Sequence, residues 1–321
     1  KKLVEKEFVQ FPIRPAKLFV LDRVIGGPKG SQGDSYFVAP NPPYGAVITY
    51  YLKKDTKTQQ ARRQAEEKKV KESRGDNQHP NWDLLKQESR EESPQMIFTI
   101  RDSANQIVRR INGPVSAGSH RVAWNLRYGS FTGDGGSGPL VAPGTYSIQA
   151  SRRANGETKE LGKPESFEVV SVLQPALPRQ DRREVIALQE QMGQLQRQVV
   201  GASRKISESI SQLEEIKRLT SNSTDLDPGL RDQAEKIRVR LLDHNEHFAG
   251  NPIKAKHSQL AERPILNRVQ TALRGTFDQT YGVTTTQREQ FQIAQKEFRK
   301  ASGKLEQILE KEYEPLKKKL D

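Results

Sequence analysis

The run Asp243-His244-Asn245-Glu246-His247 places two imidazoles and two carboxylates within five residues. On a helix, positions i and i+3 share a face, so this spacing could hold a metal ion. A zinc-protease helix instead needs His-Glu-x-x-His, and no third ligand is evident. His244 and His247 are therefore weak metal candidates only, and the simpler reading is a pair of incidental surface histidines. Of the other histidines, His79 precedes Pro80 and His120 opens a strand, which suits solvent-facing positions.

The glycine-rich stretch Tyr128 to Gly144, "YGSFTGDGGSGPLVAPG", is the second candidate for chemistry. A phosphate loop needs a strand, then glycines, then a helix N-terminus whose amides face the anion. Here Pro139, Pro143 and another strand follow, and there is no Gly-Lys-Ser/Thr. The stretch reads as a long surface connection whose Pro143-Gly144 turn opens the next strand. No carboxylate pair suited to glycoside hydrolysis can be picked out. Acidic residues such as Glu214-Glu215 alternate with Lys217-Arg218 as on a solvated helix face. No Gly-x-Ser-x-Gly elbow occurs. Cysteine is absent, which excludes disulfides, thiolate metal sites and cysteine nucleophiles but leaves the compartment open. No catalytic or cofactor-binding residue is assigned, and no cofactor is implied.

The 321 residues suffice for about two domains. A net charge of +13 can attract nucleic acid, anionic lipid or acidic glycans. The basic residues are mostly interleaved with acidic ones, and dense clusters are few: Lys68-Lys69 with Lys71, and Lys317-Lys318-Lys319. The basic stretch at 61–74 has no aromatic residue, which argues against nucleic acid. Polyanion binding stays as an alternative. No run approaches the ~18 apolar residues that span a membrane. The chain opens on "KKLVEKEF" with neither Met nor signal peptide, so a processed or cut N-terminus is expected.

The elements around these residues fall into two regions. Residues 1–35, with Pro12, Pro15 and Pro28, read as an extended entry segment packed along something else. Residues 36–174 read as β structure. "AVITYYL", "QMIFTI", "QIVRRI", "HRVAWNL", "GTYSIQA" and "ESFEVVSV" are short strands of alternating pattern, with Asn155-Gly156 as a type I′ hairpin signal. They predict an antiparallel sandwich of about seven strands with Phe98, Trp124, Tyr146 and Ile148 in its core. A polar, partly helical insertion at about 54–93 interrupts it, tacked back by Trp82, Leu84 and Leu85. Pro175 and Pro178 make 175–180 a stiff linker. From 181 to 321 the pattern is helical, with helices expected at about 181–220, 228–249, 259–279 and 286–318. The first, about 40 residues long, follows Val185, Leu188, Met192, Leu195, Val199, Ala202, Ile206, Leu213 and Ile216, with a lapse at Ser209. Asp227 is placed as an N-cap, and Thr286-x-x-Glu289 as a capping box. The helices fit an antiparallel up-down bundle or a long helical hairpin with additions. The fold class is thus segregated α+β.

"APNPPYGAVITYYL", "IVRRINGPVSAGSHRVAWNLRY" and "APGTYSIQA", followed by the heptads and "TTTQREQF", resemble the C-terminal region of large exported bacterial proteins. These carry a sortilin-type β-propeller of neuraminidase-like repeats and are often labelled glycosyl hydrolases. The resemblance covers roughly residues 10 to 321. It implies an Ig-like domain similar to that of the flagellar hook-capping protein, then a helical tail. It implies as well an exported location (periplasm, cell surface or outside the cell). The Ser-x-Asp-x-Gly-x-x-Trp repeats of the propeller are missing here, so no propeller activity passes to these residues. The expectation is a non-catalytic module that supports or docks a β-propeller of the same precursor or of a partner chain, with other exported proteins as further partners. The alternatives are part of a carbohydrate-active enzyme whose site lies in the propeller, and a polyanion-binding module.

Overall fold

The computed structural model describes residues 5–21, 33, 35–73, 75–76, 79–172, 180–224, 226–277, 279 and 281–319. Pro28, Pro175 and Pro178 lie outside them, and the expected stiff linker with them. The chain is mixed α+β and divides into two compact units, Lys1–Gly129 with Leu140–Pro175 and Ser130–Pro139 with Ala176–Asp321.

The first unit is built from β1 (Phe8–Gln10), β2 (Ala16–Leu18), β3 (Ala46–Leu52), β4 (Gln95–Asp102), β5 (Ile107–Gly113), β6 (Gly118–Trp124), β9 (Gly144–Ala154) and β10 (Glu157–Ser171). β7 (Arg127–Gly129) and β8 (Ser137–Leu140) form a two-stranded ribbon. One sheet has the order β1-β3-β6 and the other β2-β10-β9-β4-β5. Side chains alternate across a strand, and the apolar ones of both sheets meet in one cluster. Ile48 and Tyr50 of β3, Phe98 and Ile100 of β4, Trp124 of β6, and Tyr146 and Ile148 of β9 are all buried there. Tyr50 lies 4.9 Å from Phe98, and Trp124 5.3 Å from Tyr146, between ring centroids.

The pairing departs from the expected antiparallel pattern at one place: β2 runs parallel to β10, with Ala16 opposite Val169. Parallel neighbours need a long crossover connection, and the intervening strands provide it. β1 and β2 also show that the entry segment contributes to the sheets, because Val9, Ile13, Ala16 and Leu18 are buried. Two turns follow their sequence signals. Asp102 Oδ1 accepts from Ala104 and Gln106 amides at 3.0 and 2.8 Å, with Asn105 at φ 62°. Asn155 and Gly156 both take positive φ, as a type I′ turn requires.

The polar insertion forms α1 (Gln59–Glu72) and α2 (Trp82–Arg90). Its attachment differs from the expected one. Trp82 is 85% exposed and tacks nothing down, and Leu84 and Leu85 are half-buried. Glu92 at the end of the insertion pairs with Arg153 of β9 at 2.7 Å. Arg63 of α1 grips the buried Glu88 of α2 with two bonds of 2.7 Å, which joins the two helices of the insertion to each other. That forked geometry aligns both helices more specifically than a small apolar contact would.

The second unit carries α3 (Arg182–Asn222), 41 residues and about 60 Å long. α4 (Gly229–Ala249), α5 (Pro252–Lys256), α6 (Ile265–Arg274) and α7 (Thr285–Ile308) follow. The helix expected over 259–279 shrinks to α6, because Pro264 occupies its N-cap and Gly275 its C-cap. After α7, a π-turn at Leu309–Tyr313 leads into α8 (Glu314–Lys317). The wider turn lies just ahead of Pro315, which has no N–H to give to a helix. The capping box of α7 uses Thr284 and Gln287, one turn-edge earlier than Thr286 and Glu289. At the start of α4, Asp227 Oδ1 accepts from the Gly229 amide at 2.9 Å.

Segment 130–139, from the glycine-rich loop, belongs to this helical unit rather than to the β region. Phe131 packs on the helical core over Gly193 of α3, and Arg197 sits 5.9 Å above its ring. A longer side chain at 193 would occupy the place of the ring.

Two substitutions test these close approaches. Gly45 has φ 104°, and a Cβ there would overlap the Trp124 carbonyl. Gly45→Ala is expected to cost at least about 2 kcal/mol, read by denaturant unfolding of the β unit. Gly193→Ala should expel Phe131 while α3 stays helical, since alanine is the better helix former. New protease cleavage within 130–139 at unchanged helical circular dichroism is the expected result.

Candidate functional site

Polar side chains gather in a groove of the helical unit, centred on the His244 and His247 pair. α4 brings these histidines on one face because they are three residues apart. The two rings lie 5.4 Å apart, edge to face. They differ in environment. His247 is exposed, whereas His244 falls on the buried stripe between Leu241 and Phe248 and is 7% exposed. The surface reading of His244 is thus corrected: the heptad spacing that buries Leu241 also turns this imidazole inward.

His244 Nε2 lies 2.8 Å from the Ala301 carbonyl of α7. A carbonyl only accepts, so Nε2 carries the proton and donates. Burial pushes the imidazole below its ordinary pKa. The Ala301 carbonyl works against that, and the charges of His247 and Lys304 add to the fall. The ring is a neutral packing group with one nitrogen committed. No group of three metal-ligating side chains occurs among the described residues.

On one side of the pair, α4, the connection after it, α6 and α7 enclose a groove of about 790 Å³. Some of its charges are already satisfied. Arg268 pairs with Glu297 at 3.1 Å, and Asn251 donates to Glu246 at 2.7 Å. Lys254, Arg263, Lys300 and Lys304 line it without an ion pair among the described residues. On the other side, a groove of about 510 Å³ contains the Arg240–Glu312 pair. Asp243, Glu246 and Glu262 line the larger groove as well, so that site is open, wet and of mixed charge. It offers no nucleophile with an adjacent base.

The glycine-rich loop is closed to phosphate binding. Its own groups consume its amides: Gly136 N donates to Asp134 Oδ1 at 2.9 Å, and Thr132 N to Ser130 Oγ at 3.3 Å. Bonds from Ser130, the Gly136 amide and Thr132 hold the Asp134 carboxyl below the usual carboxylate range. A fixed negative charge therefore sits where a phosphate would have to bind. Phe98, Trp124, Tyr146 and Ile148 are all in the core of the β unit and reach no groove. His79 is exposed, whereas His120 is half-buried rather than solvent-facing, its ring 5.3 Å from that of Tyr50 and its Nε2 2.6 Å from the Ser116 carbonyl.

Set against models of known families and against curated proteins, the chain matches none.

The buried imidazole has a pH signature. In the unfolded chain His244 takes a proton below about 6.5, while in the fold it resists until lower pH. Stability is full above the unfolded pKa and is lost as pH falls through that window. The thermal midpoint of helix loss should fall between pH 7 and pH 5. His244→Gln, whose amide can still donate to Ala301, should reduce that fall, measured by circular dichroism in matched buffers.

Proposed function

We propose that the chain is a non-catalytic structural and interaction module that supports or docks a β-propeller of an exported bacterial protein. One observation carries this reading: the β unit leaves large aromatic side chains bare. Phe37 is 86% exposed, Tyr36 55%, and Trp82 85%. Aromatic residues are favoured at protein interfaces, where a few buried anchors supply most of the binding energy. Tyr36 and Phe37 stand just ahead of "APNPPYG", with Val38 between, inside the stretch that resembles the propeller-associated region.

An Ig-like sandwich is the finer fold reading. Two sheets share one core with a tryptophan buried inside it. The Tyr146 hydroxyl donates to the Ala142 carbonyl at 2.7 Å, close to the start of β9. That bond resembles the tyrosine corner of Ig-type domains, where it fixes the entry of a strand. The exported setting rests on the same resemblance.

The experiment is titration of this chain with the propeller of its own precursor or of a separately encoded partner. Saturable binding is expected, weakened at least tenfold by Phe37→Ser with Trp82→Ser. Both side chains are exposed, so the variant should fold. Absence of saturable binding overturns the proposal, as does glycoside hydrolysis by the isolated chain that one Asp or Glu substitution abolishes.

A further inference from the structure

The connection from α4 to α6 combines strongly exposed apolar side chains with cations that make no ion pair among the described residues. It holds the most exposed apolar side chain of the described residues, Leu260, at 99%, with Ile253 at 69%. It also supplies two of the four unpaired cations of the groove, Lys254 and Arg263. We propose that this face is a peripheral docking site for a bilayer with anionic headgroups. Leu260 and Ile253 enter the apolar boundary while Lys254, Arg263, Lys300 and Lys304 meet phosphates.

The connection is built to present these groups. Asn251 Oδ1 caps α5 by accepting from Lys254 N at 2.9 Å, and its amide donates to Glu246 of α4. α5 ends in a Schellman-type turn: Ser258 takes φ 52°, Gln259 N donates to the Lys254 carbonyl at 2.9 Å, and Ser258 N to Ala255 at 3.2 Å. At the far end Pro264 packs against Gly250. Leu260 follows this ordered turn directly and projects from the connection into solvent.

The surroundings favour a bilayer over a protein. A protein interface needs an apolar core with a complementary pocket. Here each apolar side chain stands singly among exposed Lys256, His257, Ser258 and Gln259. A bilayer accepts a projecting aliphatic group without a pocket, and anionic headgroups add roughly a fivefold gain per nearby cation. Asp243, Glu246 and Glu262 also face the groove, which keeps its net charge low and makes apolar insertion necessary as well. The residues involved are separate from the aromatic side chains of the propeller proposal, so either proposal can fail alone.

The test is sedimentation of the whole chain with vesicles of phosphatidylcholine, with and without 30 mol% phosphatidylglycerol (roughly the anionic content that gives a strong surface potential). Binding to the anionic vesicles alone, weakened by added salt, is expected. Leu260→Asp should reduce partitioning at least tenfold, and Lys254→Glu with Arg263→Glu should do the same. Leu260 touches no core, so its variant should keep the wild-type circular dichroism. Lack of wild-type binding overturns the proposal. So does binding that ignores Leu260→Asp, which would be general adsorption of a basic protein. Equal, Leu260-dependent capture by polyglutamate would replace the bilayer with an acidic polypeptide.

Discussion

A 41-residue amphipathic helix in water is held by the burial of its apolar stripe, since propensity alone does not stabilise it. The helical unit is organised around that requirement. Met192, Val199, Ile206 and Leu213 of α3 are fully buried, covered by residues of α4, α6 and α7. Of the four buried positions of α3 that are not large and apolar, Thr220 bonds back to the Ile216 carbonyl of its own helix at 2.8 Å, and the other three each have a particular neighbour. Gln189, fully buried, donates to the Thr276 hydroxyl at 2.8 Å and its carbonyl at 3.1 Å. Gly193 makes room for Phe131. Ser209 lies beside Tyr313, whose hydroxyl donates to Gln212. The lapses in the heptads are therefore the places where the α6 end, the glycine-rich loop and the C-terminal π-turn are received.

The β unit depends on a similar close approach. Trp124 is fully buried, and its indole N–H donates to the Arg127 carbonyl at 2.9 Å. A buried indole needs such a partner. The bond is reached because Leu126 takes φ 54°, a costly conformation for a branched residue, which its full burial offsets. Gly45 is required opposite, where the backbone of β3 begins beside Trp124. The short ribbon that follows then carries the glycine-rich loop, whose Phe131 belongs to the other unit's core.

Period-2 and period-3.6 patterns made most elements readable beforehand. The strands around Phe98, Trp124 and Tyr146, and the stripe of α3, follow patterns that local backbone geometry imposes. What was not readable came from contacts between residues far apart in the chain. Nothing near Arg63 points to Glu88, and nothing near Phe131 points to Gly193. Trp82 looks like an anchor by composition, yet it is exposed, and the forked Arg63–Glu88 pair joins the two helices of the insertion to each other. The parallel pairing of β2 depends on which edge of a finished sheet is open. In the groove, the His-x-x-His spacing showed a shared face but not which imidazole turned inward; the positions of Leu241 and Phe248 carried that signal.

The distribution of charge explains why the net +13 does not produce a uniform basic surface. Along α3 and α4, Lys217 and Arg238 each contact both Glu214 and Glu235, at 2.6 to 3.2 Å. Arg238 first, then Lys217, pushes the Glu235 carboxyl down to about 2. Charges in such a lattice are already matched and exert little field at a distance, especially once salt screens them. Arg63, Arg153 and Arg240 are likewise paired. The cations of the groove between α4 and α7 are different: Lys254, Arg263, Lys300 and Lys304 make no ion pair among the described residues, although Asp243, Glu246 and Glu262 line the same groove. Pairing along the helices, rather than the number of lysines, thus decides where the positive charge of this chain is open to a ligand.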